Sequence, residues 1–171
     1  MGFLQRLLGR SNEASATAAL YAAVVARGRA PHWYREGQVA DSVDGRFDMI
    51  AVVMALVLLR LEGDPEGATP SAQLAERFIA DMDSQLREIG IGDIVVGKHI
   101  GRMMGMLGGR LGAYRTGLAD NNLGPALVRN LYRGHAPDDT ALAHVETRLL
   151  ALRDALDATP TADLVAGGLP A

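Results

Sequence analysis

The run from Asp81 to Met103, DMDSQLREIGIGDIVVGKHIGRM, places acids, bases and a histidine close together in the chain. Acid–base catalysis and metal binding both use such side chains. Asp81 and Asp83 are two positions apart, however, so on a helix they point to different sides and do not share a metal easily. His99 is the only histidine in the run. The spacing therefore favours recognition of another molecule over catalysis or metal binding.

No other motif in the chain indicates chemistry. The histidines, His32, His99, His135 and His144, show neither an HExxH motif nor any paired metal spacing, so each is interpreted as an ordinary surface or loop histidine. Cysteine is absent, which excludes disulfides, thiolate metal sites and cysteine nucleophiles. The stretch DSVDGRFD is similar to a calcium loop, but aligning Gly45 with the glycine of such a loop puts alanine at two ligand positions. We expect no catalytic residue, cofactor or metal. The alternative is a small helical enzyme or ligand-binding protein with an enclosed pocket, because acids and bases can assemble from distant positions.

Composition and hydrophobic spacing predict one helical domain. The chain has 171 residues, of which 49% are hydrophobic and 22% charged, as in a globular protein. Its apolar spacing is helical almost throughout, with no sustained alternation of the β type. We expect an all-α fold, a single compact domain of about six or seven helices. Three parts are expected: an amphipathic segment over residues 1–13, a helical domain over residues 14–158 and a flexible tail over residues 159–171.

The most apolar run, MIAVVMALVLLRL at Met49–Leu61, predicts a buried core helix. It is shorter than the roughly 20 residues that a membrane-spanning helix needs. The helix after it is expected to start with Pro70 at its first position and to place Leu74 and Phe78 inward. Capping and corner positions are expected at Asp44, Thr69, Gly90, Gly92 and Asp93.

The helix predicted from Asp93 to about Arg115 is rich in glycine and methionine. Each interior glycine costs up to about 1 kcal/mol relative to alanine. Glycines spaced by four form a stripe that another backbone can approach closely, and methionine adapts to irregular apolar surfaces. Two interpretations are open: an internal helix crossing with core filling, or a groove with a basic rim for a partner helix. The residues concerned are Gly97, Gly101, Gly105, Gly108, Gly109 and Gly112, Met103, Met104 and Met106, and Lys98, Arg102, Arg110 and Arg115.

Charge is unevenly distributed along the chain. Residues 1–35 hold five arginines and one acid, a net charge of +4, whereas the whole chain carries −3. A basic segment on an acidic body can contact anionic lipid or RNA, although scattered surface arginines explain the pattern equally well. The amphipathic start, MGFLQRLLGR, can rest on a membrane surface or dock on the body. We expect a cytoplasmic protein that is at most peripheral at the inner membrane.

Two long strings carry a resemblance to a known family. They are ALYAAVVARGRAPHWYREGQVADSVDGRFDMIAVVMALVLLRL and FIADMDSQLREIGIGDIVVGKHIGRMMGMLGGRLGAY, which lie within residues 19–133. These strings resemble the ubiquinol–cytochrome c chaperone family, in particular its shorter bacterial members. The resemblance implies a non-catalytic assembly factor for the cytochrome bc1 complex that binds newly made cytochrome b or another bc1 subunit. A small partner protein and the ribosome are further implied contacts, whereas no cofactor and no DNA are implied.

The motif positions of that resemblance divide into two groups. They are Tyr34, Asp41, Asp44, Gly45, Arg46, Phe47 and Asp48, followed by Asp83, Leu86, Arg87, Glu88, Gly90, Gly92, Asp93 and Lys98. Caps and corners give some of them a structural explanation. No such explanation covers Arg46, Asp48, Asp83, Arg87 and Glu88. These five are interpreted either as an ion network that locks the apolar helix onto the turn at 81–88, or as a charged patch that recognises the partner.

Overall fold

The computed structural model describes the backbone of residues 3–88 and 93–170, and the side chains of residues 16–81 and 105–170. Its elements are α1 (Phe3–Gly28), α2 (Pro31–Arg35), α3 (Val43–Glu62), a 3-10 turn (Pro65–Gly67), α4 (Ala68–Glu88), α5 (Asp93–Ala119), α6 (Gly124–Asn130), α7 (Asp139–Ala158) and α8 (Thr161–Val165). No strand occurs in the described residues. The predicted all-α, single-domain fold is confirmed.

Helix α3 lies at the centre of the fold. It contacts α1, α4, α5 and α7, and every residue from Asp48 to Leu58 is buried. A helix that is apolar on all sides is stable only where neighbours cover all of it, and the four long helices around α3 provide this cover. The predicted inward rows are confirmed where side chains are described, with Leu74 and Phe78 of α4 buried against the core.

The start of α3 corrects one prediction. Ser42, not Asp44, occupies the N-cap, and its hydroxyl accepts a hydrogen bond from the Gly45 amide at 3.1 Å. Asp44 lies in the first helical turn, where a carboxylate is also favourable, so two neighbouring residues could each have served as the cap. Gly45 packs tightly, because a Cβ at this position would lie 2.0 Å from the carbonyl oxygen of Ala40.

The entry into α4 also differs from the prediction. Helix α4 begins at Ala68, directly after the 3-10 turn, so Thr69 is already helical and is not the N-cap. Asp64 takes the capping role upstream, since its side chain accepts from the Glu66 amide at 2.9 Å. The expected corner at Gly90 and Gly92 lies outside the described residues.

Both ends of the chain are more regular than predicted. Helix α1 runs unbroken from Phe3, so residues 3–13 and the helix expected from residue 14 form one element; no proline interrupts it, and Ser11 and Asn12 do not act as caps. The predicted flexible tail contains α8, in which Leu164 is fully buried. Arg60 also donates hydrogen bonds to the carbonyl oxygens of Leu156 and Thr159, at 3.1 and 3.0 Å, which fixes the end of α7.

Candidate functional site

A buried carboxylate joins three parts of the fold. Asp48 of α3 is 0% exposed, and its Oδ1 accepts a hydrogen bond from the Arg110 guanidinium of α5. Its Oδ2 accepts from Arg133 Nε at 2.6 Å, in the segment after α6. Arg133 adopts a φ of +53°, a conformation that costs a non-glycine residue energy and that holds its side chain towards α3. A buried carboxylate requires paired charge, so these arginines are needed for α3 to pack as it does.

The Arg110 side chain packs against aromatic residues. Its guanidinium carbon lies 5.3 Å from the centre of the Phe47 ring, which stacks on Phe78 at 5.5 Å between ring centres. Arg110 Nη1 and the Tyr114 hydroxyl are buried without a hydrogen-bond partner in the described part of the chain. Burial raises the pKa of Tyr114 above its ordinary range. Arg110 therefore belongs to the packed interior and not to a solvated rim.

These contacts correct the predicted ion network. Arg46 does not join Asp48; its Nε pairs with Asp41 at 2.7 Å in an exposed contact. Asp44 pairs with Arg133, Oδ2 to Nη1, at 2.7 Å. The side chains of Asp83, Arg87 and Glu88 lie outside the described residues, as do those of Lys98 and Arg102.

Sequence reasoning missed both partners of Asp48. The sequence pattern predicts Arg110 in a basic rim on α5, and it gives Arg133 no role. A signal for Arg110 was present, because it falls in the same helical row as Leu107 and Tyr114, which are buried. A basic residue in a buried row, such as Arg110, is expected to pair with an acid in an apolar helix, such as Asp48.

Histidine pairing was also missed. His32 Nδ1 of α2 lies 3.1 Å from His144 Nε2 of α7, although the sequence predicts an ordinary surface or loop histidine at both positions. Burial lowers the pKa of His32, and the nearby His144 and Arg148 lower it further. No group of three potential metal ligands occurs within the described residues. The pair therefore serves as a contact between α2 and α7.

Helix α5 turns four of its described glycines away from the core. Gly105, Gly108 and Gly109 are exposed, and a Cβ added at any of them, or at Gly112, would meet nothing within 4 Å. At about 100° per residue, these glycines lie on the side of α5 opposite the buried Leu107. An internal helix crossing is therefore wrong for the described part of the stripe. Gly97 and Gly101 lie in the part of α5 whose side chains are not described.

Met106 lies at the edge of the same surface and is 41% exposed, one of two large apolar side chains so exposed among the described residues. Core filling is thus wrong for Met106, whereas Met49 and Met54 of α3 are fully buried. We call Gly105, Met106, Gly108, Gly109 and Gly112 the glycine face. Met103 and Met104 fall just before the described side chains.

The predicted basic rim is reduced in the structure. Arg110 points into the core, and Arg115 Nη2 pairs with Glu62 of α3 at 2.6 Å. The glycine face is therefore neutral and smooth where it is described. It offers no acid, base or nucleophile, and it suits the close approach of an apolar helix.

Three motif residues, Tyr34, Asp41 and Arg46, lie together at one cavity. Tyr34 donates a hydrogen bond from its hydroxyl to the Gly28 carbonyl oxygen at 2.7 Å, and burial raises its pKa. With the Asp41–Arg46 pair, Tyr34 lines a cavity of about 420 Å³ at the junction of α1, α2 and α3. A second and larger cavity, of about 840 Å³, is an open groove between α6 and α7. Glu146, which lines that groove, already accepts from the Leu123 amide at 2.6 Å and so caps α6.

No helix among the described residues is both long and apolar enough to cross a membrane.

Comparison with known proteins assigns this helical arrangement to a family. The family model described as "Ubiquinol-cytochrome C chaperone" matches residues 35–171. A crystal structure of the Cbp3 homolog from Brucella abortus is similar, with 31% sequence identity and a TM-score of 0.83. That match covers 98% of this chain and 95% of the other. No curated protein matches. The resemblance seen in the sequence is confirmed: the chain belongs to the ubiquinol–cytochrome c chaperone family.

Proposed function

We propose that the chain is a non-catalytic chaperone for assembly of the cytochrome bc1 complex and that its glycine face binds unassembled cytochrome b or another bc1 subunit. Family membership supports the chaperone role. The observation that carries the binding surface is the open stripe at Gly105, Gly108, Gly109 and Gly112. Glycine in a solvated helix face weakens the helix without improving its packing. A partner that docks on this stripe would explain why glycine is used at these positions.

A membrane helix is the partner that this surface fits. Helices of membrane proteins pack through small residues that let two backbones approach closely, with weak Cα–H···O contacts between them. The glycine stripe allows the same close backbone approach to a membrane helix that has not yet assembled with its partner helices. Met106 at the edge of the face adds a flexible apolar side chain that adjusts to different client side chains.

The client is held near the membrane but outside it. A chaperone for a membrane subunit works at the membrane surface, so we place the chain in the cytoplasm or at the periphery of the inner membrane. A small partner protein and the ribosome remain proposed contacts, and Asp83, Arg87 and Glu88 remain candidates for a charged patch that recognises such a partner. Neither a cofactor nor DNA enters the mechanism.

Removing the gene tests the assembly role. The expected result is a lower amount of assembled bc1 complex while the cytochrome b transcript stays normal. Both quantities are measured in the same cells, by native gel electrophoresis of membranes and by quantitative transcript analysis. Unchanged bc1 levels would refute the proposal.

Substitution on the glycine face tests the surface separately. Gly109→Leu places a bulky side chain where the partner backbone would approach, while leucine keeps a good helix propensity. The matched control is Ala143→Leu, an exposed position on α7. Restoring the gene as Gly109→Leu should leave bc1 assembly low, whereas Ala143→Leu should restore it. Equal restoration by the two variants would show that the client binds elsewhere.

A further inference from the structure

A compact group of basic residues lies at the junction of α1, α2 and α3, on a surface that the chaperone proposal does not use. The cavity of about 420 Å³ there is lined by Arg29, Pro31, Tyr34, Arg35, Asp41 and Arg46. Three separate segments supply the arginines: the end of α1, helix α2 and the first turn of α3. Three guanidinium groups and a single carboxylate therefore line one small cavity.

Most of this positive charge is not neutralised. The Arg29 side chain makes no hydrogen bond or ion pair in the described part of the chain, and only its backbone amide is bonded, to carbonyl oxygens of α1. Arg35 reaches only Glu36, at 3.9 Å, with 74% of its side chain exposed. Arg46 is paired with Asp41, so the cavity keeps the charge of the other two arginines. In a chain whose overall charge is −3, this is a local reversal of sign.

The floor of the cavity is a tyrosine that is already fixed in place. The Tyr34 hydroxyl donates a hydrogen bond to the Gly28 carbonyl oxygen, which orients the ring, and the hydroxyl oxygen can still accept a hydrogen bond. The positive charges of both Arg46 and Arg29 act on this hydroxyl to lower its pKa, against the larger effect of burial. Arg29 and Arg46 thus both line the cavity in which this hydroxyl lies.

We propose that this cavity binds a phosphate group, carried by a lipid headgroup or by a small soluble phosphate ester. Guanidinium groups form paired hydrogen bonds with phosphate oxygens, and a phosphate monoester carries a charge of about −1.5 to −2 at neutral pH. That charge suits Arg29, whose side chain has no partner in the described residues, and Arg35, whose ion pair with Glu36 is long and exposed. The cavity shares no residue with the glycine face, and its binding does not depend on the proposed client.

Two probes distinguish the sources of the phosphate. Glycerol 1-phosphate, titrated calorimetrically into the full chain, represents a soluble ester. Vesicles of phosphatidylcholine with phosphatidic acid, used in a sedimentation assay, represent a headgroup, with pure phosphatidylcholine as the baseline. Binding to either probe at low salt, weakened by added salt, is the expected result. Failure of both probes to bind would overturn the proposal.

Variants assign the binding to the cavity. Arg29→Gln and Arg35→Gln should each weaken binding about fivefold, and together by more than tenfold. The control is Arg129→Gln, which removes the same charge from an exposed position on α6 and should change binding less than twofold. Helical circular dichroism checks that every variant is folded. An equal loss in Arg129→Gln would show that net charge alone drives binding and would refute a site.

Discussion

Replacing the exposed glycines of α5 by alanine should stabilise the free protein. Gly108 and Gly109 face open space, so an added methyl group meets no neighbour and only the gain in helix preference remains. That gain is up to about 1 kcal/mol for each glycine, or about 2 kcal/mol for the double variant. In a domain of this size, about 1 kcal/mol shifts Tm by about 2–4 °C. The expected rise is therefore roughly 4–8 °C.

Thermal and urea unfolding of the free chain measure this change. The matched control is Gly45→Ala in α3, where the new Cβ would lie 2.0 Å from a backbone oxygen and should lower stability by about 1–3 kcal/mol. Both variants replace glycine by alanine in a helix, but their changes in the free energy of unfolding should have opposite signs. A loss of stability in the Gly108→Ala/Gly109→Ala variant would refute the solvent-facing placement of the stripe and restore the internal helix crossing.

Other perturbations test other parts of the structure. Asp48→Asn leaves two arginines without their buried carboxylate and should lower the free energy of unfolding in urea by about 3–5 kcal/mol. Asp44→Asn removes only the exposed partner of Arg133 and should lower it by about 1 kcal/mol or less. Similar losses in the two variants would show that Asp48 is not the buried centre. Leu164→Ala should cost about 2–5 kcal/mol because α8 is packed, and a neutral result would restore the flexible tail. Burial lowers the pKa of His32, so the contribution of this residue to folding stability should be complete above the usual histidine pKa and should fall as pH drops below it. His32→Gln should make stability depend less on pH in this range. An unchanged profile of stability against pH in the variant would contradict this role of His32. Burial raises the pKa of Tyr132 to about 12, so its stabilising contribution should disappear between pH values of about 10 and 12, and tyrosinate absorbance near the ordinary pKa in the folded state would contradict this.

Local patterns in the sequence predicted the helices and their inward rows well. The position of α3 follows from a long apolar run, and the rows at Leu74 and Phe78 follow from helical spacing, so neither depends on distant residues. Helix ends were less predictable, because Ser42 and Asp44 are both suitable caps and only the path of the backbone selects between them.

The contacts of the site depend on distant residues and were not predictable in the same way. Asp48 meets Arg110 and Arg133 across the fold, and His32 meets His144 between α2 and α7. Composition also could not decide which way the glycines face, because a buried crossing and an exposed docking face both require small residues. In the structure, Leu107 and Tyr114 occupy the core side of α5, so the glycines on the opposite side face outward.

Crosslinking in living cells tests the central claim most directly. A photoreactive amino acid at Met106, on the edge of the glycine face, should capture unassembled cytochrome b or another bc1 subunit, identified by mass spectrometry. The same group at Ala143 of α7 is the control and should capture little of that client. Capture of a bc1 subunit at Met106 well above the control is the predicted result. Equal capture at the two positions, or no bc1 subunit at Met106, would contradict the account.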